Sequence, residues 1–125
     1  MKKIISVIGA GGKTTLIHRL AEEYQRKGNS VLVTTTTHMF AEPGTDLSCD
    51  AFSVKAKLQK DHYCMAGRRC PENSGKMQAL PEHTLREVLH YTDIVLIEAD
   101  GAKHHSLKYP VSYTHLRAHE TLSDL

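Results

Sequence analysis

At 125 residues, with 40% hydrophobic and 24% charged side chains, the chain has the size and composition of one globular domain. A net charge of +2, spread along the sequence, excludes the dense basic footprint of a nucleic-acid binder. No stretch approaches the ~18 apolar residues of a membrane span, and Ile4 to Ile8 is too short for an export signal, so no membrane and a cytoplasmic location are expected.

Ile4-Ile5-Ser6-Val7-Ile8 is β-branched and nearly continuous in apolarity, which predicts a strand buried on both faces of a parallel sheet. After a glycine turn, Leu16, Ile17, Leu20, Ala21 and Tyr24 recur at helical spacing, with Glu22, Glu23, Gln25 and Arg26 opposite them. Gly28 fits the helix stop. Ser30 to Thr35 predicts a second strand. A short helix around Val54 to Leu58 and a short strand near His62 to Met65 come next. Gly67 to Gly75 is polar and turn-rich and reads as an exposed loop. Pro81 suits the first position of a helix whose apolar face is Leu85, Val88 and Leu89. Ile94 to Ile97 is the strongest later strand and runs into Glu98-Ala99-Asp100-Gly101. Strands alternating with helices predict a three-layer α/β domain with a mainly parallel sheet. Ligands in such sheets sit at the C-terminal strand ends.

Gly9-Ala10-Gly11-Gly12-Lys13-Thr14-Thr15 lies between a buried strand and an amphipathic helix. Its glycines let the backbone turn tightly and aim consecutive N–H groups at phosphate oxygens. The helix start adds unpaired N–H groups and about half a positive charge. Lys13 would reach the β- and γ-phosphates, and the Thr14 hydroxyl would ligate Mg²⁺. Position 7 is Val rather than Gly, so the loop is shortened to Gly9-x-x-Gly12-Lys13-Thr14, a form similar to that of the Mur-type ligases. This predicts a P-loop NTPase-like domain that binds ATP or another nucleoside triphosphate. No base-reading motif accompanies it.

Glu98 and Asp100 are two residues apart at a strand end and so share a face. One would hold Mg²⁺ and the other orient the attacking water, with spacing leaving the two roles interchangeable. Lys13, Glu98 and Asp100 are thus the candidate catalytic groups, and Thr14, Glu98 and Asp100 the candidate metal ligands. Thr36 and Thr37, at the end of the second strand, are expected beside the γ-phosphate or Mg²⁺, with β-branched strand filling as the alternative. His38 reads as solvent-facing rather than as a general base. Lys103 joins His104, His105 and Lys108 as a cationic rim or a plain exposed loop. Arg68 and Arg69 suit a solvated loop better than an arginine finger. Cys49, Cys64 and Cys70 fit no disulfide scaffold and read as reduced thiols. His62-x-Cys64 with Cys70 lacks the second ligand pair of a zinc site.

With these residues in hand, the chain resembles the YqeC family over residues 1 to about 110. The resemblance rests on Gly9 to Thr14, on Thr34-Thr35-Thr36-Thr37-His38-Met39, and on Glu98-Ala99-Asp100-Gly101-Ala102-Lys103 followed by Leu107-Lys108-x-Pro110. It implies a cytoplasmic P-loop protein serving maturation of selenium-dependent molybdenum hydroxylases, with such a hydroxylase or its maturation factors as partner. Val111 to Leu125 looks like vector- or adaptor-derived read-through sequence. The expectation is therefore an incomplete nucleotide-binding domain over 1–110, a non-native tail over 111–125 and an exposed sheet edge. Mg²⁺-dependent hydrolysis or transfer of the γ-phosphate leads the functional readings. A nucleotide-dependent switch or scaffold without turnover, or a Mur-like small-molecule ligase or kinase, are the alternatives.

Overall fold

The computed structural model describes residues 3–8, 12–99 and 112–117, the last of these through backbone pairing. In chain order the elements are β1 (Lys3–Ile8), α1 (Lys13–Arg26), β2 (Val31–Thr35), β3 (His38–Phe40), α2 (Ala51–Asp61) and β4 (Tyr63–Met65). They continue with β5 (Arg68–Arg69), β6 (Lys76–Gln78), α3 (Glu82–Leu89), β7 (Ile94–Glu98) and β8 (Ser112–Arg117). Five strands form a parallel sheet in the order β4-β2-β7-β1-β8. The expected α/β class and mainly parallel sheet are therefore present.

Alternation along the central strands decides the layers. Ile5, Val7, Val31, Val33, Ile94 and Leu96 pack with Leu16, Ile17, Leu20, Ala21 and Tyr24 of α1 on one face. Ile4, Ile8, Leu32, Val95 and Ile97 pack with Val54 and Leu58 of α2 and Leu85, Val88 and Leu89 of α3 on the other. The five residues of α1 that the helical spacing selects are its five buried ones. Its end is a Schellman motif: Asn29 N–H donates to the Tyr24 carbonyl at 3.1 Å and Gly28 N–H to the Gln25 carbonyl at 2.9 Å. Gly28 takes φ 87°, which an L side chain adopts only with strain.

Several boundaries differ from the sequence expectation. The helix expected around Val54 to Leu58 runs the full Ala51–Asp61, because the Asp50 carboxylate accepts the Phe52 N–H at 3.0 Å and caps it. Pro81 precedes α3 as its cap residue rather than opening it. The segment Gly67 to Gly75 is not merely a loop: it holds β5 and a buried Cys70 before its exposed turn over 71–75. With β3 and β6 it makes a second, antiparallel sheet in the order β3-β6-β5, whose Met39 and Met77 are register partners buried in the α1-side core. At Gly67 an added Cβ would lie 2.6 Å from Met77 Sδ and 2.7 Å from the Gln78 carbonyl, so this small sheet closes on a bare backbone. A strand at Ser112–Arg117, parallel to β1, was not expected, and β1 is therefore an inner strand.

The edge beyond β4 is tied down by Asp46, which is 3% exposed and bridges to Ala66. Burial opposes its charge, but hydrogen bonds from the Ser48 hydroxyl (2.5 Å), the Ser53 hydroxyl (2.6 Å) and the Ser48 N–H (2.9 Å) outweigh that, joined by Lys57 Nζ at 3.1 Å. Together they hold the carboxyl at about 2, below its ordinary 3.8. A depressed folded-state value stabilises the protein above the unfolded value and is lost as pH falls through the folded one. Asp46→Asn should therefore lower stability by about 2 kcal/mol at neutral pH. The gap to wild type should close between pH 3.8 and about 2. Urea unfolding across that range measures it, and a gap that does not change with pH would refute the account.

Candidate functional site

β7 lies between β1 and β2, and its last residue, Glu98, is in register with Val7 on one side and Thr35 on the other. The Glu98 carbonyl accepts two hydrogen bonds from β2's end, from the Thr36 N–H at 3.1 Å and the Thr35 hydroxyl at 2.9 Å. Ala99 N–H donates to the Val7 carbonyl at 3.0 Å. The acid's backbone is thus fixed from both sides. Its parity with Ile94 and Leu96 turns its side chain to the α1 face.

There it meets Lys13, the first residue of α1. Lys13 Nζ lies 3.4 Å from Glu98 Oε1, with the side chains 21% and 12% exposed. Glu98 Oε2 is buried and has no hydrogen-bond partner among the described residues. The helix start is equally open. Gly12 caps it in the left-handed conformation, φ 72°, with no side-chain hydrogen bond and no acidic residue in the first turn. Leu16 N–H makes the first helical bond, to the Gly12 carbonyl at 3.1 Å. The N–H groups of Lys13, Thr14 and Thr15 precede it and have no partner within the helix. They carry the positive end of the helix dipole.

These groups line one wall of a cleft of about 260 Å³: Gly12, Lys13, Thr14 and Thr15, with Glu98 at its floor. The small sheet supplies the other wall through His38, Met39, Phe40 and Lys76. Phe40 is 69% exposed, and Lys76 Nζ sits 5.4 Å from the centre of its ring.

Of the residues singled out in the sequence, the structure brings Gly12, Lys13, Thr14, Thr15 and Glu98 together. Thr36 and Thr37 are half-buried beside Glu98 and outside the cleft lining. Their backbone is engaged, Thr36 with Glu98 and Thr37 N–H with the Thr35 hydroxyl at 3.0 Å. Gly9, Ala10, Gly11, Asp100 and Lys103 lie outside the described residues. Sequence reasoning missed Thr35 as the clasp between β2 and β7, and it missed the whole second wall. No local pattern signals that wall: His38, Met39 and Phe40 alternate in burial but not in polarity.

The fold and the cleft define an α/β protein with a parallel sheet and an uncapped helix start at its C-terminal edge. Within that class, a profile of the YqeC family, described as YqeC protein, matches residues 5–114, and the chain belongs to this family. A curated relative, "Uncharacterized protein YqeC" of Escherichia coli (strain K12), is 38% identical over 114 residues, covering 86% of this chain. The chain spans 44% of that relative's length. No solved structure matches. No helix among the described residues is long and apolar enough to cross a membrane.

Adjacent threonines of β2 give a test with two signs. Thr35→Val removes the donor to the Glu98 carbonyl and the acceptor of Thr37 N–H, and should cost about 1–3 kcal/mol. Thr34 is 2% exposed, and its hydroxyl has no partner among the described residues. Thr34→Val should be neutral or stabilising, because it removes an unsatisfied buried hydroxyl. Urea denaturation of both variants checks the pair, and equal losses would contradict it.

Proposed function

We propose that the cleft holds the phosphates of a nucleoside triphosphate, ATP with Mg²⁺, and that this chain is the nucleotide-binding part of a P-loop-type NTPase. The observation that carries the reading is the meeting of Lys13 and Glu98 at 3.4 Å beside an uncapped helix start. An ammonium, open N–H groups and a dipole serve the anion from one side. A carboxylate stands ready for a cation on the other.

Mg²⁺ takes hard oxygen ligands, and the residues present are of that kind. Glu98 Oε2 is buried and unpartnered among the described residues, and the Thr14 side chain is exposed at the helix start. These two would hold the ion, which would neutralise charge on the phosphates. The chain's own groups do the rest. Lys13 positions the terminal phosphates, and the helix start binds them through N–H groups that need no reorganisation. The family resemblance supplies the setting: maturation of selenium-dependent molybdenum hydroxylases, with such an enzyme or its maturation factors as partner.

A second reading, a nucleotide-dependent switch, draws on the way Glu98 holds Thr36, two residues before β3 and the second wall. A change at the acid would pass directly into the small sheet. Negligible basal hydrolysis that rises with a partner protein would favour this reading over plain turnover.

Titration calorimetry with ATP, with and without Mg²⁺, tests the site. Lys13→Ala removes a charge-assisted contact of about 1.5–3 kcal/mol and should weaken binding about 10- to 150-fold. Unchanged affinity would sink the assignment. Glu98→Gln should leave metal-free ATP binding at least as tight as in the wild type and abolish its enhancement by Mg²⁺, and a normal Mg²⁺ response in that variant would remove Glu98 from the role.

A further inference from the structure

The small sheet that walls the cleft carries a second set of donors, one of which, His38, also lines the cleft. His38 opens β3, Cys70 directly follows β5, and Glu72 lies in the turn that leads to β6. Because β3 and β5 both pair with β6, the sheet gathers residues more than thirty positions apart. One ligand atom from each of His38, Cys70 and Glu72 lies within 4.8 Å of the other two. We propose that these three residues form a binding site for zinc(II), or a metal of the same borderline-soft class, at the edge of the phosphate cleft.

The chemistry favours this class over Mg²⁺. A sulfur, an imidazole nitrogen and a carboxylate oxygen are a mixed set that suits zinc, whereas Mg²⁺ prefers oxygen alone. Tetrahedral bonds of about 2.0–2.3 Å set donor atoms roughly 3.3–3.8 Å apart. Cys70 Sγ and Glu72 Oε2 are already 3.6 Å apart. The His38 ring, within 4.8 Å of both, is exposed and free to close the remaining distance. The thiol end is the rigid part. Cys70 is 4% exposed, and its carbonyl accepts the Asn73 N–H at 3.4 Å. The Asn73 carboxamide and carbonyl in turn take Gly75 N–H at 2.9 Å and Lys76 N–H at 3.1 Å. Pro71 restricts the backbone between the two ligands. A fixed thiol with two outward-facing partners lets an ion enter from solvent. Three protein ligands leave a fourth position for water or for a group in the cleft, which His38 also lines.

The other thiols are poorly placed to compete. Burial pushes Cys64 up to about 12, and the Cys49 thiol points to the Gly67 carbonyl at 3.8 Å. The plain alternative is a buried thiol that donates a hydrogen bond to Glu72, with His38 nearby by accident.

The test is a cobalt(II) titration of the reduced 125-residue chain without nucleotide, followed by absorbance, then displacement by zinc(II). It requires nothing of the ATP site, so its failure and that of the nucleotide reading are separate results. One equivalent should bind with a thiolate-to-cobalt charge-transfer band. Cys70→Ser should abolish the band. His38→Ala and Glu72→Gln, at exposed positions, should each weaken binding at least tenfold while the far-UV circular dichroism is unchanged. Should Cys70→Ser misfold, the two exposed-ligand variants decide the matter. No stoichiometric uptake by the folded chain would overturn the proposal. So would a band that survives Cys70→Ser, or affinity unaltered in His38→Ala and Glu72→Gln.

Discussion

The cleft exists because β7 lies between β1 and β2. Ile94, Val95, Leu96 and Ile97 are at most 2% exposed, so the strand needs apolar cover on both faces and partners on both edges. A central place in a parallel sheet meets both needs. β1 and β2 are consecutive strands with a helix between them, yet they do not pair. The gap they leave is filled by a strand more than sixty residues further along the chain. Once β7 is seated, register brings Val7 near the end of β1, Thr35 of the threonine run and Glu98 to one line across the sheet.

The two faces of the sheet then diverge. Toward α2 and α3 the core continues to the strand ends, where Ile97, Ala99 and Leu80 are buried. Toward α1 the apolar rows stop at Val7 and Leu96, and the next position on β7 is Glu98. α1 also begins here, so an acid and the positive end of a helix open onto the same side. The small sheet closes this side through Met39 and Met77 while leaving His38, Phe40 and Lys76 around the opening.

This division explains what was legible in the sequence. β1, β2, β7 and α1 announce themselves because each buries a full face, which imposes period 2 or 3.6 on its residues. Glu98 was legible for the same reason, as the acid that ends an apolar strand. The strands β3, β5 and β6 span two or three residues each, too few for any period to register. They exist through non-local pairing with one another, and the turn residues between them gave only the signal of a loop. Ser112–Arg117 contains a single β-branched residue, Thr114, and becomes a strand by pairing with the free edge of β1. The metal-ligand set was hidden likewise, since His38 and Cys70 share no motif and become neighbours only through β6. Attention to His62-x-Cys64 followed sequence proximity, which the fold does not honour.

The Lys13–Glu98 pair also constrains how ligands enter. Each partner is mostly buried and offsets the other's desolvation. A polyphosphate that takes the Lys13 ammonium would leave the Glu98 carboxylate with neither oxygen matched, since Oε2 has no partner among the described residues. A buried carboxylate stripped of its counter-ion is costly unless a cation replaces it. On the proposed function, anion and divalent cation therefore bind as a coupled pair. Each lowers the penalty that the other would face alone, and the coupling acts equally in both directions. The helix start, the acid and the lysine work as one electrostatic unit rather than as three separate contacts.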